Sequence, residues 1–432
     1  MILEEKHPVL VIATASFLAI PKTDIGTIIV DRENGRGYKS QTRPYIDLRH
    51  FAEVFADKKQ AKLILGDQLL RAETIHRYHA GELVEVVPIK YRTLTTSTQE
   101  VVDMRTDTDT SGAEKKKVFT LFSPELKHIL DTAVSENGHA FLFTARRGLA
   151  PSTVCADCGE VAKCHNCKAH TVLHKGTENF FLCHRCGEKR SAREACTHCG
   201  SVRLTTLGIG AELIEEELKK LYPKAHIFRI DADKTPTHKK ALEVAEKFYA
   251  APGAILIGTE MALLYLSEKI EYSAVVSMDA FFAIPDFRIN ERILNILLSL
   301  RAATSRKLIV QTRDTRQPIF EYAIRGNIAD FLRDELEDRK TLGYPPFSTI
   351  IKIIIAGKTK QETAKEAEKL KSLIAPASMD IFPVFIPQGK GKIGIAGIIK
   401  VPRGEWSASP LREILRGLPL SYSIQVDPDS LV

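Results

Sequence analysis

A chain of 432 residues suffices for about two to four domains, and its 44% hydrophobic and 27% charged content is that of a globular protein. That composition excludes disordered and fibrous classes, and no run approaches the roughly 18 apolar residues of a membrane span. The formal charge of +7 hints weakly at nucleic acid, and the acidic start MILEEKHPVL shows no secretion signal, so a cytoplasmic protein with no membrane partner is expected.

From residue 8 to about 95, short apolar runs alternate with helical stretches. PVLVIAT (8–14), GTIIVD (26–31) and AKLILG (61–66) read as strands, and DLRHFAEVFADKK (47–59) as a helix. That alternation predicts an α/β fold with a parallel sheet. The polar passage TDTDTSGAEKKK (106–117) predicts a solvated loop, including its run Lys115-Lys116-Lys117. PELKHILDTAVSENG (124–138) predicts a helix ended by Gly138, and HAFLFTARRG (139–148) a strand leaving on Arg146 and Arg147. Phosphate contact and a solvated turn are equally open for those two arginines.

All eight cysteines lie between Cys155 and Cys199, as the C-x-x-C pairs Cys155/Cys158, Cys164/Cys167, Cys183/Cys186 and Cys196/Cys199. Two cysteines three apart on a tight turn put both sulfurs on one side at zinc-ligand separation. Gly159, Gly187 and Gly200 follow the second cysteine, where a knuckle wants a residue tolerant of positive φ. A disulfide framework is disfavoured in a reducing compartment, which leaves metal as the reading. AHTVLH (169–174) and FFL (180–182) flank KGTEN (175–179) as a hairpin, bringing Cys164 and Cys167 against Cys183 and Cys186. Cys155, Cys158, Cys196 and Cys199 then close a second site. Each zinc would have four thiolates and no open position, so both sites are expected to be structural. Eight thiolates and two Zn²⁺ would lower the formal charge from +7 to +3. With the thiols sufficient, His165, His170, His174, His184 and His198 are expected at the surface.

The α/β rhythm resumes in AELIEEELKKLYP (211–223), AHIFRID (225–231), AILIG (254–258), YSAVVSMD (272–279) and KLIVQT (307–312). The cysteine module therefore reads as an insertion in a second α/β lobe. From about 345 the order changes to strand, helix, strand, strand, helix, strand, ending in YSIQVDP (422–428). That is the pattern of a small ferredoxin-like α+β domain.

An α/β lobe with a four-knuckle insertion and a small α+β tail resembles the PriA family of bacterial replication-restart helicases. VVDMR (101–105), ARRGLAP (145–151), the cysteine array, RIDADKT (229–235), IGTEM (257–261), PDFRINER (285–292), GYPPF (343–347) and IQVDP (424–428) carry the resemblance. SFLAIP (16–21), IIVD (28–31), YKS (38–40) and AETIH (72–76) extend it upstream. It implies two RecA-like helicase lobes: a partial first lobe over 1–95, and a second over 96–150 and 202–315. It further implies a zinc-binding insertion over 151–201 and a ferredoxin-like domain over 316–432. In that family the inner and outer cysteines sit on separate zinc ions, and ATP with magnesium drives 3′ to 5′ unwinding. Forked or single-stranded DNA and other primosome and replication proteins are the implied partners.

The departures from the family gather at nucleotide-handling positions. No G-x-x-x-x-G-K-[ST] occurs, and the resemblance places the start of the chain downstream of that loop. The family's D-E-E-H reads Asp31-Arg32-Glu33-Asn34, so a cation replaces the water-orienting acid. Its G-S-A-T-P-S reads Gly66-Asp67-Gln68-Leu69-Leu70-Arg71, and ALLYLSEK (262–269) replaces a K-G-H/D stretch. The arginine-finger segment reads Ser299-Leu300-Arg301-Ala302-Ala303-Thr304-Ser305-Arg306, without its glutamine or glycines. Each such loss costs orders of magnitude in rate. No catalytic or nucleotide-binding residue is therefore assigned, and ATP and magnesium are not expected as cofactors. Asp286, Arg288, Glu291 and Arg292 are expected to form an internal salt-bridge network. The expectation is a PriA-like, zinc-containing, DNA-binding factor of replication restart at stalled forks, without its own ATPase. Two alternatives stand beside it: the C-terminal part of a split ATP-dependent 3′ to 5′ DNA helicase completed by another chain, and a zinc-ribbon protein-interaction module with no DNA role.

Overall fold

Short apolar runs such as 28–30 and 255–257 form parallel strands that neighbouring helices cover. The computed structural model describes residues 7–19, 24–105, 120–145, 152–174, 179–183, 188–284, 286–383 and 393–431. Two compact units result, one of Tyr91–Phe331 and one of Met1–Lys90 with Leu332–Val432. Among the described residues no helix is long and apolar enough to cross a membrane.

In the composite unit, β1 (Thr27–Asp31), α1 (Leu48–Lys59), β2 (Lys62–Gly66) and α2 (Ala72–His79) follow in order. β1 and β2 pair in parallel, with Asp31 opposite Gly66. Ile28 and Val30 alternate inward with Ala52 and Ala56 of α1, whereas Ile29 is 60% exposed. Asp47 caps α1 by accepting from the Arg49 N–H at 3.0 Å. The expected strand over 8–14 does not form: residues 8–14 carry no strand, and Leu10 and Ile12 are exposed. A strand exists only with a hydrogen-bonded neighbour, and neither described strand of this sheet pairs with that segment.

The other unit holds β3 (Thr98–Asp103), α3 (Pro124–Ser135) and β4 (Ala140–Thr144). Ser123 caps α3 by accepting from the Leu126 N–H, and Pro124 opens its first turn. Asn137, at φ +59°, supplies the left-handed residue after that helix in place of Gly138. The cysteine module follows as β5 (Ser152–Cys155), β6 (Val172–His174), β7 (Phe180–Leu182), β8 (Lys189–Ser191) and β9 (Leu204–Leu207). β5 and β9 run antiparallel, Ser152 opposite Leu207, and so bring the two ends of the module together.

After the module come α4 (Ala211–Leu221), β10 (Ile227–Ile230), α5 (His238–Ala250), β11 (Ile255–Gly258), β12 (Ile270–Ser277), α6 (Ile289–Ala303), β13 (Thr304–Thr312) and α7 (Pro318–Arg325). These complete a six-stranded parallel sheet in the order β10-β11-β4-β12-β13-β3. Its core joins Leu126, Leu130, Ile214 and Leu218 of the helices to Leu142, Ile255, Ile257 and Ala274 of the strands. Because all strands are parallel, β4, β11, β12 and β13 end on one edge, where α/β sheets place their chemistry.

α8 (Ile328–Leu342) leads to β14 (Ser348–Gly357), α9 (Lys360–Leu373), β15 (Asp380–Pro383), β16 (Ile393–Pro402), α10 (Pro410–Arg416) and β17 (Ser423–Val426). These four strands form an antiparallel sheet in the order β15-β16-β14-β17. Lys39 Nζ donates to the Val426 carbonyl at 3.0 Å, and Arg43 to the Leu420 carbonyl at 2.8 Å, tying the β1 segment to β17 within the same unit. The chain thus has mixed α/β architecture with a six-stranded parallel sheet.

Candidate metal centre

The outer knuckles are built by strand pairing. β5 delivers Cys155, the following turn delivers Cys158, and the Gly159 N–H returns to the Cys155 carbonyl at 2.9 Å. The second knuckle repeats this, with the Gly200 N–H donating to the Cys196 carbonyl at 2.9 Å. Gly159 and Gly200 take φ values of +76° and +73°, which is why glycine stands there. Cys155 Sγ lies 3.6 Å from Cys199 Sγ, and Cys158 Sγ 3.6 Å from Cys196 Sγ. All four sulfurs fall within 4.8 Å of one another, so the outer cysteines form one cluster that could hold a metal ion.

Cys164, Cys167 and Cys183 make a second cluster on the same criterion, with Cys167 Sγ 3.4 Å from Cys183 Sγ. Cys186, Gly187 and His184 lie outside the described residues, as do Arg146, Arg147 and Lys115 to Lys117. Lys168, at φ +60°, takes the place a glycine holds in the outer knuckles, and its N–H donates to the Cys164 carbonyl at 3.1 Å.

The donor set fits a thiophilic cation. Burial pushes the Cys158 thiol well up, and the neighbouring Cys199, Cys196 and Cys155 sulfurs add to that. Crowded thiols of this kind ionise together only around positive charge. A four-sulfur tetrahedral set suits zinc and leaves no position for water. Outer groups hold the knuckles in place: Arg203 Nη1 lies 2.9 Å from Asp157 Oδ1, and Ser201 Oγ donates to the other Asp157 oxygen. In the inner cluster Glu188 accepts from the His165 N–H at 3.0 Å.

One of the histidines expected at the surface is not there. His165 and His198 are exposed and His174 is half-buried, but His170 is 1% exposed. Thr171 and Val172 beside it are buried as well, so no period-two alternation in the sequence marks it. His170 Nε2 lies 3.3 Å from Asp314 Oδ2, at the carboxyl end of β13. Lys163 Nζ reaches the same oxygen at 2.5 Å, and Ser152 Oγ donates to the Asp279 carbonyl, just beyond β12, at 2.9 Å. Glu160 adds ion pairs to Arg105 and Arg316, each at 3.1 Å. The cysteine module is therefore fastened to the carboxyl edge of the parallel sheet. Sequence reasoning did not single out Asp279 or Asp314, each an acid two residues beyond the carboxyl end of a parallel strand.

The nucleotide-handling positions have other occupations. Arg32 is exposed at φ +52°. Glu33 is 2% exposed and accepts from the Arg71 N–H at 2.8 Å and from Thr74 Oγ1 at 2.9 Å, capping α2 from outside the helix. Asp67 accepts from the backbone N–H groups of Asn34 and Gln68 at 2.7 and 2.6 Å. Residues 299–306 end α6 and begin β13, at the amino edge of the sheet. There Arg301 donates to the Thr93 carbonyl at 2.9 Å, and Arg306 to Tyr272 Oη at 3.1 Å. In the PDFRINER stretch Arg288 pairs with Glu291 at 3.7 Å, while Arg292 reaches outside it to Glu260 at 2.6 Å.

The chain is similar to the replication restart protein PriA of several bacteria. That of Borreliella burgdorferi is 30% identical over 362 residues, covering 82% of this chain and 53% of the relative. That of Haemophilus influenzae is 29% identical, covering 78% of this chain and 46% of the relative. That of Thermotoga maritima is 26% identical over 432 residues, covering 97% of this chain and 56% of the relative. The chain thus spans about half the length of the curated relatives it matches. No family model matches it.

Proposed function

Starting from a chain that is PriA-like over most of its length, we propose that it is a zinc-containing factor of replication restart that binds forked DNA without hydrolysing ATP itself. One observation carries the second half of that reading. Three charged groups at the family's nucleotide positions are engaged in holding the fold: Glu33 caps α2, Asp67 closes its own turn, and Arg301 anchors Thr93. Asp31 and Arg32 stay exposed, but Arg32 is a cation where the family has its water-orienting acid.

Two lobes of RecA-like type are supported by the parallel β1–β2 pair and the six-stranded sheet. The strand order 2-3-1-4 of the antiparallel sheet, with a helix after its first and third strands, supports a ferredoxin-like domain. The domain limits in this reading are 1–95, 96–150 with 202–315, 151–201 and 316–432. The two cysteine clusters, with Cys186 as fourth inner ligand, support two structural zinc ions. DNA and other primosome proteins are the partners, in the cytoplasm.

Two measurements on the purified chain test this. Fork binding is expected to weaken by at least about tenfold between about 50 and 200 mM salt as counterions compete for phosphate. ATP turnover on forked DNA is expected to match a heat-denatured control. Turnover above that control overturns the non-hydrolysing reading, and absent fork binding favours a protein-interaction module instead.

The exposure of Leu10, Ile12 and Ile29 favours a second reading, in which further polypeptide completes the first lobe. A phosphate loop in the reading frame immediately upstream would support it. Arg32 and the committed Glu33 argue that even a completed lobe would not hydrolyse ATP.

A further inference from the structure

We propose that Asp314 is a positioning residue for the inner metal site, gripping both stems of the Cys164–Cys167 knuckle so that metal binding is coupled to order at the carboxyl end of β13. The inference rests on the reading of the inner cysteines as metal ligands.

The knuckle is a short loop closed at its base. Lys163 and His170 form an antiparallel bridge across it, and inside that bridge the Cys164 N–H donates to the Ala169 carbonyl at 2.8 Å. Both bridge residues send their side chains to one oxygen: Lys163 Nζ at 2.5 Å and His170 Nε2 at 3.3 Å from Asp314 Oδ2. Asp314 is itself held rigidly. Gln317 Nε2 donates to the same oxygen at 2.6 Å, and the Asp314 N–H donates to Thr312 Oγ1 at 3.1 Å. Thr312 Oγ1 in turn donates to Asp279 Oδ1 at 2.6 Å, and His170 Nδ1 sits 3.2 Å from the Asp279 carbonyl.

His170, Asp279 and Asp314 are all buried to within 1% exposure, so water does not substitute for these partners. Burial by itself would raise the Asp314 carboxyl, but His170, Lys163 and Gln317 hold it well below the usual carboxylate range. A thiolate pair binds tightly only when its stems are already in register, and outer partners of metal ligands typically change affinity about 10–100-fold. Coupling is reciprocal: whatever Asp314 contributes to metal binding, the metal returns as order at Thr312–Asp314. The outer site supplies an internal control, linked to Asp314 through Arg316, whose Nε lies 3.5 Å from Asp314 Oδ1. Its first knuckle is supported by Glu160 ion pairs to Arg105 and Arg316, whose side chains are 26% and 62% exposed and so screened by solvent.

The test is zinc release from the full chain, loaded with two equivalents, to a chromogenic chelator in excess. Wild type should release two ions. In Asp314→Ala one ion should leave at least about tenfold faster, with the other unchanged; Asp314→Asn, which keeps the shape, should show a smaller acceleration of the same ion. In Cys164→Ser, which lacks the inner ion, adding Asp314→Ala should leave release of the remaining ion unaltered. Should Asp314→Ala not fold, Asp314→Asn and Lys163→Met carry the same comparison. Equal acceleration of both ions, or of neither, overturns the proposal. A wild-type chain that binds no inner ion removes its premise, and that outcome is visible in the loading stoichiometry before any variant is made.

Discussion

Replacing Glu33 by alanine asks whether the acid two places beyond Asp31 serves the fold or a reaction. Its carboxylate accepts from the Arg71 N–H at 2.8 Å and from Thr74 Oγ1 at 2.9 Å while 2% exposed. Hydrogen bonds to a charged group contribute about 1.5–3 kcal/mol each, and each buried methylene lost adds about 0.8 kcal/mol. Part of this is offset, because burial pushes the Glu33 carboxyl up and its removal ends that desolvation cost. The net expectation is a loss of about 2–4 kcal/mol. Urea unfolding followed by far-UV circular dichroism measures it, fitted as two transitions because the chain has two units. Glu33→Gln, keeping the shape and one acceptor, should lose about half as much. Asp31→Ala, at an exposed position, should stay within about 0.5 kcal/mol of wild type. If Glu33→Ala also stays within about 0.5 kcal/mol, the carboxylate does not hold α2, and the argument that it is committed to structure collapses.

Three further outcomes are expected. Cys158→Ser and Cys164→Ser should each lower bound zinc from two ions to one by elemental analysis, because the outer and inner cysteines form separate clusters; loss of both ions from either variant would show a shared site. Arg301→Ala should destabilise by about 2–3 kcal/mol, since it strips the Thr93 carbonyl of a buried charged donor, while Arg306→Ala, 56% exposed, should cost less than about 0.5 kcal/mol in the same denaturation assay. Comparable losses for the two would refute the placement of Arg301. The His50 ring and the Arg77 guanidinium hold the Glu53 carboxyl at about 2, below its ordinary 4.5. A carboxyl depressed in the folded state contributes stability above about pH 4.5 that is lost as pH falls toward 2, so Glu53→Gln should flatten that limb of a urea-midpoint profile. Superimposable profiles would show that Glu53 contributes nothing.

What could be read directly from the chain was whatever depends on local spacing. IIVD, LILG, FLFT and ILIG carry the apolar runs of buried parallel strands, and each is a strand in the structure. The C-x-x-C spacing and the hairpin expected at 175–179 favour pairing inner with inner and outer with outer cysteines, and the described sulfurs gather as Cys155, Cys158, Cys196 and Cys199 and as Cys164, Cys167 and Cys183. PVLVIAT shows the limit of this reasoning: its pattern is that of a strand, but a strand is a relation between two segments, and no described partner lies beside it. His170 shows another limit. Counting thiols made it spare, whereas the folded chain brings it to Asp314, 144 residues away. The same holds for Glu33 and Arg301, whose partners are Arg71, Thr74 and Thr93. Residue types and spacings determined which groups could serve as ligands and strands; which acids and arginines had become part of the scaffold was decided only by tertiary packing. A buried polar group must find its partner wherever the fold delivers one, and sequence distance does not record where that is.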